Sequence, residues 1–166
     1  MATVTLKGKP ITTSGELPKI GANAPNFKLV ASDLTSKSLN NYLGHKVVLN
    51  IFPSIDTGTC AQSVRTFNRK ASELPNTKVL CISKDLPFAH SRFCAAEGLE
   101  NVESLSDFRD GNFGKSYGLT FVDGPLEGLH SRCVVVLNED AEVIYTEQVD
   151  ETTEEPDYEA AINSLS

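Results

Sequence analysis

The segment from Ser54 to Cys60, Ser-Ile-Asp-Thr-Gly-Thr-Cys, constrains the fold of this chain more than any other feature. It follows an apolar run, residues 47–52, which predicts a buried β-strand. After it, apolar residues recur at intervals of three and four as far as Leu74, which predicts an amphipathic helix. Cys60 is therefore expected in the first turn of a helix, just past a strand. Unpaired N–H groups and the helix dipole favour an anion such as a thiolate there, so we expect the chemistry to begin at Cys60.

The composition excludes several classes of partner. A chain of 166 residues has the size of one domain, so we predict a single domain over residues 1–166, with an amino-terminal hairpin extension over residues 1–17. A net charge of −7, with no basic block, argues against nucleic acid or an anionic membrane surface as a partner. No stretch approaches about 18 apolar residues, so no membrane-spanning helix is predicted. Residues 1–7 do not read as a signal peptide, and four cysteines without one predict a cytoplasmic protein.

Strand and helix patterns alternate through the middle of the chain and give way to a hairpin near its end. Besides the amino-terminal hairpin, strands are predicted at residues 27–30, 38–39, 46–52, 79–82, 102–105, 131–137 and 143–149. Helices are predicted after Cys60, over residues 85–97, over residues 113–117 and from Pro156 onward. Asp85 is expected to cap the second helix and Gly98 to end it. This order predicts the α/β class and a thioredoxin-like fold, a mixed sheet with helices on both faces.

Three residues are candidates to support Cys60. Thr57 is expected to donate its hydroxyl to the sulfur while accepting a hydrogen bond from a backbone N–H of the same turn. Pro53 restricts the approach to the site and has no N–H group of its own. The segment lacks a permanent cation, and the best candidate is Arg132, at the start of an apolar strand, although an arginine there can also meet solvent or an acidic neighbour. A cation and a helix amino terminus together favour the thiolate.

The other three cysteines have several interpretations. Cys81 and Cys133 lie in apolar strands and are interpreted as structural, and Cys133 should face away from whatever its neighbour Arg132 faces. Cys94 lies in a predicted helix four residues after His90, so this pair could hold a metal ion. Cys94 could also be an ordinary helical residue, or the redox partner of Cys60. The chain has no CxxC motif, which argues against both a zinc site and ordinary dithiol exchange.

The segment from Pro53 to Cys60 fits the pattern P-x-x-x-T-x-x-C of the peroxiredoxin family, and its later part fits the bacterial thiol peroxidase subgroup. Other stretches resemble the same subgroup: the amino-terminal hairpin, residues 21–27, residues 83–89, residues 106–109 and Arg132. The resemblance covers nearly the whole chain. It implies an atypical two-cysteine peroxiredoxin in which Cys60 is the peroxidatic cysteine and Cys94 the resolving cysteine of an intrachain disulfide. Thr57, Pro53 and Arg132 would complete the site.

The function that this resemblance implies is the reduction of hydrogen peroxide and organic hydroperoxides. Cys60 would become a sulfenic acid, Cys94 would condense with it, and thioredoxin would reduce the disulfide. Similar proteins are cytoplasmic homodimers, and the reaction needs no metal or organic cofactor. Two other classes stay open. A non-enzymatic redox sensor that uses the same disulfide would lack turnover, and a zinc-binding structural protein that uses His90 and Cys94 would carry stoichiometric metal.

Overall fold

A seven-stranded mixed sheet forms the centre of the computed structural model, which describes residues 1–166. The strands in chain order are β1 (Thr3–Leu6) and β2 (Lys9–Thr12) of a separate hairpin, then β3 (Lys28–Ala31), β4 (Ser36–Ser38), β5 (Lys46–Ile51), β6 (Thr77–Ser83), β7 (Glu103–Ser106), β8 (Cys133–Leu137) and β9 (Val143–Gln148). Their order across the main sheet is β4-β3-β7-β6-β5-β8-β9. Strands β5, β6 and β7 run parallel, and the other neighbouring pairs are antiparallel. The predicted mixed sheet is therefore confirmed.

Strand β5 is covered on both faces. Its residues Val47, Leu49 and Ile51 belong to the core cluster on one face, and Val48 belongs to the cluster on the other face, together with Phe52 just beyond the strand. All five side chains are at most 2% exposed, which explains why this stretch is apolar almost throughout. Full burial of a side chain of this size contributes about 1.5–3 kcal/mol. The loop towards Cys60 begins directly after this buried stretch.

Helices cover both faces of the sheet, as predicted. They are α1 (Gly58–Ala71), α2 (Pro87–Glu97), α3 (Asn112–Ser116) and α4 (Tyr158–Asn163), with a 3-10 helix at Leu39–Tyr42. Helices α1, α2 and α4 contribute to the cluster that contains Phe52, whereas α3 packs on the opposite face through Phe113. None of these helices is long and apolar enough to cross a lipid bilayer.

The start of α2 differs from the prediction. The helix begins at Pro87 with Leu86 as its N-cap residue, and no side chain caps it. Asp85 lies before the helix and its carboxylate accepts hydrogen bonds from the loop that precedes Cys60, because that loop presents well-placed donors. The end of the helix is as predicted, since Gly98 adopts the left-handed conformation that glycine tolerates best, with φ of 66°.

The start of α4 also differs from the prediction by two residues. Pro156 lies outside the helix, which begins at Tyr158. The carboxylate of Asp157 accepts a hydrogen bond of 3.0 Å from the backbone N–H of Ala160, so Asp157 is the N-cap. A side-chain acceptor at this position satisfies an N–H group that the helix leaves unpaired, and this defines where the helix begins.

The amino-terminal hairpin forms as predicted, around a two-residue turn. Lys7 and Gly8 in this turn have φ of 50° and 80°, and two positive φ values match the twist of a tight antiparallel hairpin. The hairpin packs on Phe121, and backbone hydrogen bonds join β1 to residues 150–152. The hairpin is therefore attached to a loop that also contributes to the pocket above Cys60.

Gly118 gives a test of close backbone packing. It has φ of +69°, and a Cβ atom there would lie 2.6 Å from the backbone nitrogen of Glu16. Gly8 has φ of +80° but open space around it, so it is a matched control for the backbone strain alone. We expect Gly8→Ala to cost about 1–2 kcal/mol of unfolding free energy. Gly118→Ala should cost about 1–3 kcal/mol more because of the clash. Urea unfolding measures both, and equal losses would contradict the clash.

Candidate active site

Cys60 lies in the first turn of α1 and is completely buried. The helix begins here because Thr57 adopts an extended conformation, φ of −98° and ψ of 148°, and serves as the N-cap residue. No side chain caps the first turn, so its N–H groups remain available to an anion next to the cysteine. The predicted helix and the position of Cys60 within it are confirmed.

Arg132 lies directly against this cysteine. Its Nη2 atom donates to the Cys60 sulfur at 3.3 Å, and its Nε atom donates to the carbonyl oxygen of Thr152 at 3.0 Å. The arginine is 3% exposed, and its remaining terminal nitrogen, Nη1, is buried without a partner. A guanidinium group carries its charge at any physiological pH, so a permanent positive charge lies within hydrogen-bond distance of the Cys60 sulfur.

A pocket of about 360 Å³ opens above this pair. Pro53 and Thr57 line it together with Arg132, so the structure brings the predicted supporting residues to one place. The pocket is completed by residues that sequence reasoning missed, from the hairpin turn, the loop after Phe121 and the loop after β9: Leu6, Lys7, Pro125, Leu126, Leu129, Thr152 and Thr153. Their distance from Cys60 along the chain left no signal of this role in the sequence.

The hydroxyl of Thr57 does not make the predicted contact with the sulfur. It donates instead to the carbonyl oxygen of Ser54 at 3.0 Å, and it accepts no hydrogen bond from the first turn of α1. The backbone explains the difference, because the N–H of Thr57 also donates to the Ser54 carbonyl at 3.2 Å and closes a tight turn that brings the hydroxyl to the same acceptor. Thr57 therefore shapes the loop and lines the pocket, while Arg132 alone donates to Cys60.

Cys81 and Cys133 are both buried, on opposite sides of the sheet. Cys81 belongs to the cluster beneath α1, whereas Cys133 belongs to the cluster on the far face, as its alternation with Arg132 predicted. Burial raises the pKa of each thiol to about 12, so both remain protonated and unreactive at neutral pH. Neither residue reaches the pocket above Cys60.

Cys94 lies on α2, half-buried, and lines a different cavity of about 490 Å³. Its sulfur lies 3.6 Å from the hydroxyl of Ser104, and burial raises the pKa of its thiol. None of the four cysteines is paired in a disulfide. A disulfide requires sulfur atoms about 2.05 Å apart. The Cys60 sulfur contacts Arg132, whereas the Cys94 sulfur contacts Ser104 in the other cavity, so a bond between the two sulfurs requires one of the two helices to move.

The proposed metal pair of His90 and Cys94 has no third ligand. The Nε2 atom of His90 lies 2.8 Å from the hydroxyl of Ser83, while Cys94 contacts Ser104. No group of three or more His, Cys, Asp or Glu side chains is arranged to hold a metal ion.

Asp85 is an acidic group of the site region that sequence reasoning assigned to a different role. Its carboxylate accepts hydrogen bonds from the hydroxyl of Ser54 at 2.8 Å and from the backbone N–H of Ile55 at 2.7 Å. Burial raises the pKa of this carboxyl, but hydrogen bonds from the groups around it outweigh burial and hold its pKa at about 2. The loop that leads to Cys60 is therefore anchored by a carboxylate that stays ionised.

This lowered pKa predicts how stability depends on pH. An acid whose pKa is lowered by folding stabilises the protein above its ordinary pKa of 3.8, and this contribution is lost as the pH falls to about 2. We therefore expect the difference in unfolding free energy between wild type and Asp85→Asn to be largest at pH 5 and to shrink towards pH 2. Urea unfolding over this range measures it. Glu151 also has a pKa of about 2, because Thr153 and Gly8 donate hydrogen bonds to it. It is present in both proteins, so its contribution to the unfolding free energy cancels in the difference. A difference that is constant with pH would contradict the assignment.

Comparison with known proteins adds to this geometry. The chain matches the Redoxin family over residues 19–162. It is 52% identical over 166 residues to a thiol peroxidase of Corynebacterium glutamicum, with 100% of both chains covered. It is 53% identical over 165 residues to a thiol peroxidase of Mycobacterium tuberculosis, with 99% of each covered.

Solved structures agree with the sequence comparison. The crystal structure of a peroxiredoxin-like protein from Aquifex aeolicus superposes with a TM-score of 0.94 at 35% identity, covering 99% of this chain and 96% of that one. A thiol peroxidase from Chromobacterium violaceum, at 24% identity and a TM-score of 0.91, shares the fold. The predicted thioredoxin-like fold is confirmed. The chain belongs to the Redoxin family and, within it, to the thiol peroxidases.

Proposed function

We propose that this protein reduces hydroperoxides with Cys60 as the attacking thiolate. The observation that carries the proposal is the 3.3 Å contact between Arg132 Nη2 and the Cys60 sulfur beneath an open pocket. A thiolate is the nucleophilic form of cysteine, and the buried guanidinium favours that form. The relatives' shared name, thiol peroxidase, supports the same chemistry.

In the first step the Cys60 thiolate attacks the terminal oxygen of the peroxide and the O–O bond breaks. The sulfur keeps that oxygen and becomes a sulfenic acid, while the second oxygen leaves and takes up a proton as water or alcohol. The unpartnered Nη1 atom of Arg132 and the uncapped N–H groups of α1 are available to donate to the peroxide oxygens. Such preorganised donors stabilise the charge that develops as the bond breaks.

The pocket supports both hydrogen peroxide and hydroperoxides with an organic group as substrates. Leu6, Leu126 and Leu129 line its walls, so an alkyl chain attached to the peroxide would leave water for an apolar surface. Arg132 lines the same pocket and contacts the buried Cys60 sulfur, where the peroxide would react.

In the second step Cys94 acts as the resolving cysteine. Its thiolate attacks the sulfur of the Cys60 sulfenic acid, the S–O bond breaks, and hydroxide leaves and is protonated to water. The product is an intrachain disulfide, which the dithiol of thioredoxin reduces by exchange. Thioredoxin as reductant, a homodimeric state and a cytoplasmic location are parts of this proposal that follow from the family resemblance.

The proposal is tested by NADPH consumption with thioredoxin, thioredoxin reductase and a series of hydroperoxides. Many turnovers per protein are expected for wild type and for Cys133→Ser, since Cys133 lies on the far face of the sheet. Cys60→Ser should be inactive. A redox sensor that uses the same disulfide would consume only one equivalent of peroxide, and that result would replace the peroxidase proposal.

Substitution of Arg132 tests the electrostatic role. Arg132→Lys keeps the charge but removes the planar group that bonds the sulfur and the Thr152 carbonyl together. We expect the second-order rate constant for peroxide to fall by about 100-fold or more, as for the loss of a preorganised donor. Stopped-flow measurement of the reduced protein with peroxide gives this rate. The control is Arg65→Lys. Arg65 lies on α1, further along the helix than Cys60, and pairs with Glu97 of α2 at the surface, so this variant should react normally. Near-normal rates in Arg132→Lys would remove Arg132 from the reaction.

Substitution of Cys94 separates the two steps. Cys94→Ser should react once with peroxide at close to the normal rate, because its sulfur takes no part in the first attack. Cys60 should then persist as a sulfenic acid that dimedone traps, and excess peroxide should convert it to the sulfinic acid. Steady turnover with thioredoxin should collapse. Cys81→Ser is the control for a buried cysteine and should retain turnover. A disulfide of Cys60 with any cysteine other than Cys94, detected by peptide mapping, would refute the resolving role.

A further inference from the structure

One carboxylate joins the two segments that carry the reacting cysteines. Asp85 accepts hydrogen bonds from Ser54 and Ile55, in the loop that leads into α1 and Cys60. On its other side, its Oδ2 atom lies 3.7 Å from the Nε2 atom of His90, on the helix that carries Cys94. The hydroxyl of Ser83 bridges the two, since it contacts both the Asp85 carboxylate and His90.

Asp85 is itself held in place by the sheet. Its backbone carbonyl accepts a hydrogen bond from the hydroxyl of Ser106, at the end of β7, and its backbone N–H donates to the hydroxyl of Ser83 at 3.1 Å. The carboxylate is therefore a fixed point rather than a flexible surface group. The Ser54–Ile55 segment can move away from the sheet only by breaking its two bonds to this carboxylate.

A second link between the same two segments is exposed. Asp56 in the loop pairs with Arg92 on α2 at 2.9 Å, but the side chains are 65% and 68% exposed. Exposed ion pairs contribute little, whereas hydrogen bonds to a partly buried carboxylate are among the stronger ones in proteins. The Asp85 anchor is therefore the energetically important link between the loop and the helix.

We propose that Asp85 is a positioning residue that keeps the Cys60 loop folded and thereby sets how readily the oxidised Cys60 reaches Cys94. This inference rests on the proposed peroxidase cycle, in which one of the two helices must move before the disulfide forms. While the loop stays anchored, the sulfenic acid remains beneath the pocket, where a second peroxide can oxidise it to the sulfinic acid. Release of the anchor favours the disulfide instead.

The test is the ratio of sulfinic Cys60 to Cys60–Cys94 disulfide after exposure to graded peroxide, measured by mass spectrometry. Asp85→Asn keeps the shape of the side chain but removes its charge and one of its two acceptor oxygens. We expect the ratio to fall about tenfold, which corresponds to about 1.4 kcal/mol. Ser54→Ala, which retains Asp85 but removes one donor from the loop, should change the ratio in the same direction by a smaller factor. The Ser54→Ala variant keeps the test decisive if Asp85→Asn does not fold.

The matched control is Asp56→Asn, which breaks the exposed link between the same two segments and should leave the ratio within about twofold of wild type, as for a surface ion pair. A ratio that stays within twofold of wild type in both Ser54→Ala and folded Asp85→Asn would overturn the role of Asp85. An equal fall of the ratio in Asp56→Asn would also overturn the role of Asp85, because loss of any contact between the loop and α2 would then have the same effect. Wild-type protein that forms no Cys60–Cys94 disulfide would instead refute the proposed cycle itself.

Discussion

The contact between the Arg132 guanidinium and the Cys60 sulfur is the interaction on which the rest of the site depends. Arg132 is almost completely buried and forms no ion pair with a carboxylate. A buried cation without an anionic partner costs free energy. The Arg132 guanidinium instead donates to the Cys60 sulfur and to the Thr152 carbonyl oxygen, and these two acceptors offset part of that cost. In the proposed reaction, this buried cation lies beside the sulfur that attacks the peroxide.

The sheet brings these two residues together. Strands β5 and β8 are antiparallel neighbours, with Ile51 opposite Cys133, so the carboxyl end of one lies beside the amino end of the other. The loop to Cys60 leaves β5 at the same edge where Arg132 enters β8. Because both strands are buried on both faces, neither can slip in register without exposing apolar side chains. The packing of the core therefore defines the distance between the reacting sulfur and its cation.

The segment around Cys60 is held from two directions with different consequences. On the pocket side, Arg132 donates hydrogen bonds to the Cys60 sulfur and to the carbonyl oxygen of Thr152, the contacts on which the proposed first step depends. On the α2 side, Asp85 holds the loop that precedes the helix. In the proposed cycle the site must stay intact for the first step, and the Cys60 segment must move for the second, so the two contacts have opposite effects.

The sequence by itself determined the main strands and helices and the place of Cys60 among them. Apolar runs and intervals of three and four predicted β5 and α1, and so placed Cys60 in a first helical turn, because burial and periodicity are local properties. The sequence did not determine the hydrogen-bond partners of single polar groups. Thr57 was predicted to contact the sulfur, yet it donates to the Ser54 carbonyl. Asp85 was predicted to cap α2, yet its carboxylate accepts from the backbone of Ile55. Only the tertiary structure decided that Leu6 of the hairpin lines the pocket and that Arg132 reaches Cys60. Such contacts join residues far apart in the chain, and the packing of the sheet alone defines which of them meet.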